Sequence, residues 1–367
     1  MSAGCDDFPC RGNLRSVESG ITQRTDRLKP RIDGAVRTMP TSFVPLSNYP
    51  VMHSADPAYV QDRLFNVFGA NSFDAGKANR AFAVNANHLQ VGDLGVSYCD
   101  YSGDVSVGFG EASFVRQIFN IEGMARYAAG KQSGEITPGS WTPVLHAQEP
   151  LKLDFRSGYR QLVLRIEFDA LLRNLGALLG QDIGRTLVFD ETPARQPAMH
   201  ALRRRLFQFA IDYNERGRFF SDLAAAEVQR MMIMKFLMCH RHTYTNLLLR
   251  EPLPVSSTAV RRVEEFIEAN WDKPIDIEAM VAVAKVSGRS LFRQFRKDRG
   301  CSPADFAKQV RLNRAREMLE QPNENGSVIQ IALKCGFQNP GHFARDYRNV
   351  FGELPSAALR RARRWKG

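Results

Sequence analysis

Two short segments of this chain place cations around paired apolar residues at helical spacing. Arg289, Ser290, Phe292, Arg293, Arg296 and Lys297 surround Leu291 and Phe295. Gly341, His342, Arg345, Arg348 and Asn349 surround Phe343 and Tyr347. Residues four apart share one face of a helix, so each apolar pair turns inward and its neighbours turn outward. An outward guanidinium can bond a phosphate or grip guanine through two hydrogens, and the sequence leaves both open. His342 reads either as a surface histidine or as a DNA contact, and its place at a helix start favours contact.

The elements that must hold these faces are written twice. From Asp276 the chain reads DIEAMVAVAKVSGRSLFRQFRKDRGCSP, and from Ser327 it reads SVIQIALKCGFQNPGHFARDYRNVFGELP. Each copy is a short helix, a tight turn and a second helix, so the pair forms two helix-turn-helix units that could enter successive major grooves. Asp276 and Ser287 are helix caps, Asn339-Pro340 opens the last recognition helix, and Gly336 makes a turn. Ser302 to Asp305 and Ser327 to Gln330 read as capping boxes. The helix opened at Ser302 runs to about Glu320 and spans about 27 Å, a stiff spacer between readers aimed roughly 34 Å apart. Arg293→Ala is expected to weaken binding to a cognate site by roughly 1–3 kcal/mol, and random DNA much less. Equal losses on both duplexes in a gel-shift comparison would sink that expectation.

Charge supports the same end of the chain. The net charge is +11. Residues 258–367 hold 21 Lys/Arg against 13 Asp/Glu, so most of the excess lies beside the two units, as phosphate binding requires. A hydrophobic fraction of 44% fits a folded globular chain, and 367 residues suggest two or three domains. No run of about 18 apolar residues exists, and Asp6 and Asp7 stand where a signal segment would turn apolar, so a cytoplasmic protein without a membrane partner is expected. Six scattered cysteines argue against disulfides and a zinc cage. Cys239-His240-Arg241-His242 would splay around a helix rather than converge, so neither metal nor other cofactor is expected. A catalytic metal barrel is disfavoured because His88 and His146 form no H-x-H. A methyl-accepting DNA-repair protein is disfavoured because Cys5 and Cys10 supply only half of a four-cysteine site. The expectation is that the chain is not an enzyme.

The expected organisation is α+β. Residues 1–38 read as a flexible tail and 39–250 as one domain, with a β-barrel over 39–168 and helices over 169–248. The strand runs include DVSVGFG, SFVRQIFNIEG, ARYAAG, TPVLH, LKLDF and YRQLVLRIEF, with Pro138-Gly139 opening a strand. Ser221 starts a helix whose stripe (Leu223, Val228, Met231, Met232, Phe236, Leu237) could pack on the barrel or form a dimer interface. Residues 251–257 read as a linker, and 258–367 as an all-α domain.

The pattern from Ile331 to Pro355, I-A-x-x-x-G-F-x-x-x-x-x-F-x-x-x-Y-R-x-x-F-G-x-x-P, resembles the signature of the AraC/XylS family of bacterial transcription regulators. Arg311-Leu312-x-x-Ala315-Arg316-x-x-Leu319 fits the same family. The resemblance implies base contacts by Arg289, Phe292, Arg293, Gly341, His342 and Arg345, although Phe292 departs from the polar residue common there. It also implies double-stranded promoter DNA and RNA polymerase as partners, with a homodimer as a further state. The Phe155 to Arg165 stretch is similar to the cupin-like effector domain of the XylS branch. That similarity implies activation of a catabolic operon by a small effector, often an aromatic acid; repression or effector-independent regulation is the alternative. A carboxylate would need a partly buried cation and aromatic walls. The candidates are Arg116, Arg126, Arg160 and Arg165, with Tyr98, Phe119, His146 and Tyr159.

Overall fold

The computed structural model describes residues 44–364 except 77–81, 147, 185–186, 191–195, 218–220, 253–254, 322–325 and 338. The expected tail, with Cys5 and Cys10, lies outside the described residues, as do two linker positions and the final Trp365-Lys366.

The chain opens with β1 (Pro50–Ser54), α1 (Pro57–Phe68) and β2 (Ala70–Asp74). Then follow β3 (Val84–Val91), β4 (Leu94–Tyr101), β5 (Val105–Phe109), β6 (Phe114–Glu122), β7 (Ala125–Ala129), β8 (Gln132–Ile136), β9 (Leu151–Phe155) and β10 (Tyr159–Glu167). They form two five-stranded sheets, ordered β1-β3-β4-β10-β6 and β2-β5-β9-β7-β8. The sheets enclose one apolar interior that includes Val84, Ile118 and Val163 from the first and Val107, Leu153 and Phe155 from the second. Tyr101, Phe155 and Tyr159 stack through it, with ring centroids 4.2 and 5.0 Å apart. Rings so placed add about 0.5–1.5 kcal/mol per pair beyond their burial.

Residue parity in β10 separates two environments. Gln161, Val163 and Arg165 face the interior, while Leu162, Leu164 and Ile166 join a second core under the helices. Two departures from the expected strands have local causes. TPVLH makes one isolated bridge, Leu145 with Arg116, beside that of the preceding Trp141 with Phe119, since Pro143 has no N–H for a ladder. Pro138-Gly139 lies in a turn closed by Ser140 N–H donating to Thr137 O at 3.0 Å, with Gly139 at φ 78°. The helix α1 lies inside the region read as strands. Its signals are an Asp56 cap bonded to Ala58 N, Pro57 in the first turn, and buried Val60, Leu64 and Phe68 four apart.

β10 runs directly into α2 (Phe168–Leu179), followed by α3 (Gln196–Arg216), α4 (Asp222–Cys239) and α5 (Thr245–Leu249). These helices cover the outer face of the first sheet. Most of the α4 stripe is spent there: Val228, Met232, Phe236 and Leu237 are buried in that core and Met231 packs partly buried against it, while Leu223 is buried beside Gly336.

The C-terminal part is helical: α6 (Ser257–Ala269), α7 (Ile277–Ala284), α8 (Gly288–Arg299), α9 (Pro303–Glu320), α10 (Val328–Lys334), α11 (Pro340–Phe351) and α12 (Pro355–Arg364). The pairs α7–α8 and α10–α11 are the helix-turn-helix units. α9 joins their cores, giving Ala307 to the first and Leu312, Ala315 and Leu319 to the second. Both capping boxes form, at Ser302 with Asp305 and at Ser327 with Gln330.

Candidate DNA interface and interior cavity

In α8, the Ser287 side chain caps Ser290 N, and Leu291 and Phe295 are fully buried. Two expected outward residues turn otherwise. Ser290 is buried and bonded to Ser287 Oγ at 3.0 Å, so it completes the cap rather than facing DNA. Phe292 is partly buried against the first unit's core. Arg296 and Lys297 are exposed. Arg289 and Arg293 reach the end of α5: Arg289 donates to the Leu247 and Arg250 carbonyls. Arg293 Nη1 meets Glu251 Oε1 and the Pro252 carbonyl, each at 2.8 Å.

In α11, Asn339 Oδ1 accepts from Gly341 N at 2.8 Å and His342 N at 3.1 Å. Phe343 and Tyr347 are fully buried, while Gly341, His342, Arg345, Arg348 and Asn349 are exposed. The second unit thus presents an open face, whereas the first has two of its arginines engaged.

The two halves are packed together. Ala177 and Leu178 of α2 belong to the first unit's core. Gly288 permits this approach, because a Cβ there would lie 2.9 Å from Ile277 Cδ1 and 3.2 Å from the Ala177 carbonyl. Arg311 of α9 pairs with Glu227 of α4 at 3.1 Å, both largely buried, and donates to the Trp271 carbonyl at 3.0 Å. Ser221 Oγ, the α4 cap, donates to the Leu333 carbonyl at 3.0 Å.

Inside the barrel lies a small cavity lined by Arg116, Arg165, Gln161, Cys99, Tyr101 and Phe155, among others, with no Asp or Glu among the described residues of its wall. Arg116 and Arg165 are cross-strand partners on β6 and β10. The Arg116 guanidinium lies 3.9 Å from the Phe109 ring centroid, and Arg165 lies 5.2 Å from Phe68. Phe114 stands between them, 5.4 Å from Arg116 and 4.9 Å from Arg165. Burial, then the charge of Arg165, depresses Arg116 well below the usual guanidinium range. Burial brings Arg165 down to about 10 and, with the nearby Arg165 charge, His88 down to about 4. Arg165 Nε and Gln161 Oε1 are buried without a hydrogen-bond partner. Such a wall favours an anion, since an uncompensated buried cation is costly.

Of the expected effector residues, Arg116 and Arg165 line this cavity. Tyr159 is inside the barrel, stacked on Phe155, with its hydroxyl unpartnered. Tyr98 and Phe119 are buried on the opposite face, under the helices. Arg160 pairs with Glu122, Arg126 with Glu135 at 3.0 Å on the surface, and His146 lies against Phe189 on the helix side. Sequence reasoning missed Ser97, Cys99, Tyr101 and Gln161; strand parity groups them but leaves the inward face undecided. The Cys239–His242 cluster is divided among separate partners: Cys239 Sγ with the Phe236 carbonyl and His240 Nε2 with Gln117 Oε1 at 3.1 Å. Among the described residues no three His, Cys, Asp or Glu converge on a metal position, and no helix is long and apolar enough to cross a membrane.

A cupin-like barrel joined to two tandem helix-turn-helix units defines the class of DNA-binding transcriptional regulators. The helix-turn-helix domain family matches residues 280–361, and the AraC-binding-like domain family matches residues 60–238. XylDLEGF operon transcriptional activator 1 of Pseudomonas putida is 40% identical over 113 residues, 30% of this chain and 34% of that protein. XylDLEGF operon transcriptional activator 2 of the same species is 33% identical over 138 residues, 37% of this chain and 85% of the relative. A crystal structure of a probable AraC family transcriptional regulator from Rhodopseudomonas palustris CGA009 shares 52% identity, with 29% of this chain and 97% of that one covered and a TM-score of 0.28. The match spans about a third of the length of the first of these activators. The chain belongs to the AraC/XylS family of transcriptional regulators.

Proposed function

We propose that this chain is a sequence-specific regulator that binds double-stranded promoter DNA through α8 and α11 and takes a small organic acid into its barrel. In this reading residues 39–250 sense the effector, 251–257 link, and 258–367 read DNA. The observation that carries the DNA reading is the repeated unit whose second copy leaves His342, Arg345 and Arg348 exposed. The effector reading rests on the Arg116–Arg165 pair in a wall without carboxylates. Activation is proposed because the Pseudomonas relatives are named as operon transcriptional activators, and a catabolic operon as the target is part of the proposal. The proposal includes contact with RNA polymerase in the cytoplasm. It also includes a homodimer whose interface lies elsewhere than the α4 stripe.

The test has two arms. Selection of duplexes from a random pool should enrich one sequence family; no enrichment removes the DNA reading. A thermal-shift screen of aromatic and aliphatic carboxylates against neutral isosteres should reveal acids that raise Tm. A response only to neutral compounds removes the acid reading. No response to either class, with a promoter reporter still active, favours effector-independent regulation, and a reporter silenced by the chain favours repression.

A further inference from the structure

We propose that the end of α5 is an intramolecular latch on the first recognition helix, so that the described conformation withholds Arg289 and Arg293 from DNA. This rests on the DNA reading above and adds its regulation. The last carbonyls of a helix lack intrahelical partners. Here the Leu247 and Arg250 carbonyls are satisfied by one guanidinium, that of Arg289. One turn along α8, Arg293 takes the Glu251 carboxylate and the Pro252 carbonyl. This row of oxygens offers what a DNA backbone or guanine edge would offer: acceptors for forked N–H donors. A side chain bonded to one set cannot bond the other, so DNA must displace the latch. The latch is placed by packing rather than by its own bonds, because Leu248 of α5 and Leu178 of α2 pack against the first unit's core. It is also reversible: Arg293 and Glu251 keep 39% and 85% of their side-chain exposure, so water competes for that pair. Among the described residues no carbonyl row of this kind lies over α11, whose Arg345 and Arg348 stay exposed for a first, weaker contact.

The full-length chain and its Glu251→Gln variant are each carried through selection from a random duplex pool. Affinity for the enriched duplex is then measured by fluorescence anisotropy at fixed salt. Glu268→Gln supplies the same charge change at an exposed position of α6, away from both arginines. The latch predicts that Glu251→Gln binds roughly two- to fivefold more tightly than Glu268→Gln. A second readout uses the unaltered chain. Trypsin cleavage of the Arg250–Glu251 bond, whose carbonyl Arg289 holds, should become faster when the enriched duplex is added. Equal affinity of the two variants overturns the latch and leaves the DNA reading standing. If Glu251→Gln does not fold, the cleavage decides, and a rate no faster with DNA overturns it. Enrichment of no duplex by either chain overturns the DNA reading and the latch together.

Discussion

Arg116 keeps its guanidinium buried on the Phe109 ring, with a second arginine as its cross-strand neighbour. A structural role alone would favour an apolar side chain of that size. Arg116→Met should therefore raise the stability of the ligand-free chain in urea by roughly 1–3 kcal/mol, and abolish whatever Tm shift the proposed carboxylate effectors give the unaltered chain. A variant that melts lower and still responds to acids would remove Arg116 from the site. His240 poses a different case, since burial, with a smaller contribution from His242, holds it at about 4. It is neutral in the folded chain, whereas the unfolded chain takes up a proton below its ordinary value near 6.5. Stability is thus lost as pH falls from about 6.5 towards 4, by about 3 kcal/mol. His240→Gln should flatten the difference in urea stability between pH 7 and pH 4.5 by about 2 kcal/mol, the full loss being reached only below pH 4, whatever it does to the plateau. Little of this was visible beforehand. Arg116, Arg126, Arg160 and Arg165 are equivalent as letters, and only a barrel that buries one strand face distinguishes the first and last from the two that pair with Glu135 and Glu122.

At the scale of elements, the two helix-turn-helix copies make an internal control. The first turns at Lys285 with φ 58°, and the second at Gly336 with φ 81°. Left-handed backbone costs a side-chain-bearing residue about 1–2 kcal/mol. Lys285→Gly should leave stability level or raise it by up to about 1 kcal/mol, because the relieved strain exceeds or offsets the added chain entropy. Gly336→Ala should lower it by at least about 1–2 kcal/mol. Its Cβ would also lie 2.9 Å from the Leu223 side chain, where α4 meets the second unit. Thermal melts of the two variants moving in the same direction would contradict this account. The helices of this half were legible because their instructions are local. Caps at Asp276, Ser287, Ser302, Ser327 and Asn339 act within three residues, and all five form. The TPVLH run failed as a strand, because a strand needs a partner that the segment itself does not name.

For the whole molecule, the decisive contacts join the two halves. Glu227→Ala would leave the Arg311 guanidinium buried without its carboxylate, and should cost about 3 kcal/mol in urea denaturation. Adding Arg311→Met should recover part of that loss; a double variant no more stable than the single one would show that the pair is not the reason. The same packing puts the barrel and the readers in series. β10 carries Arg165 and continues without a break into α2, whose Ala177 and Leu178 help to build the first unit's core. Sequence by itself determined the repeated helix-turn-helix units, their inward pairs and the basic excess beside them, because helix periodicity, capping and net charge are properties of neighbouring residues. Tertiary structure alone decided which arginines face the cavity, that the α4 stripe is buried within the chain, and that Arg289 and Arg293 meet α5. Those outcomes depend on burial and on contacts between residues far apart in the chain, which no local pattern records.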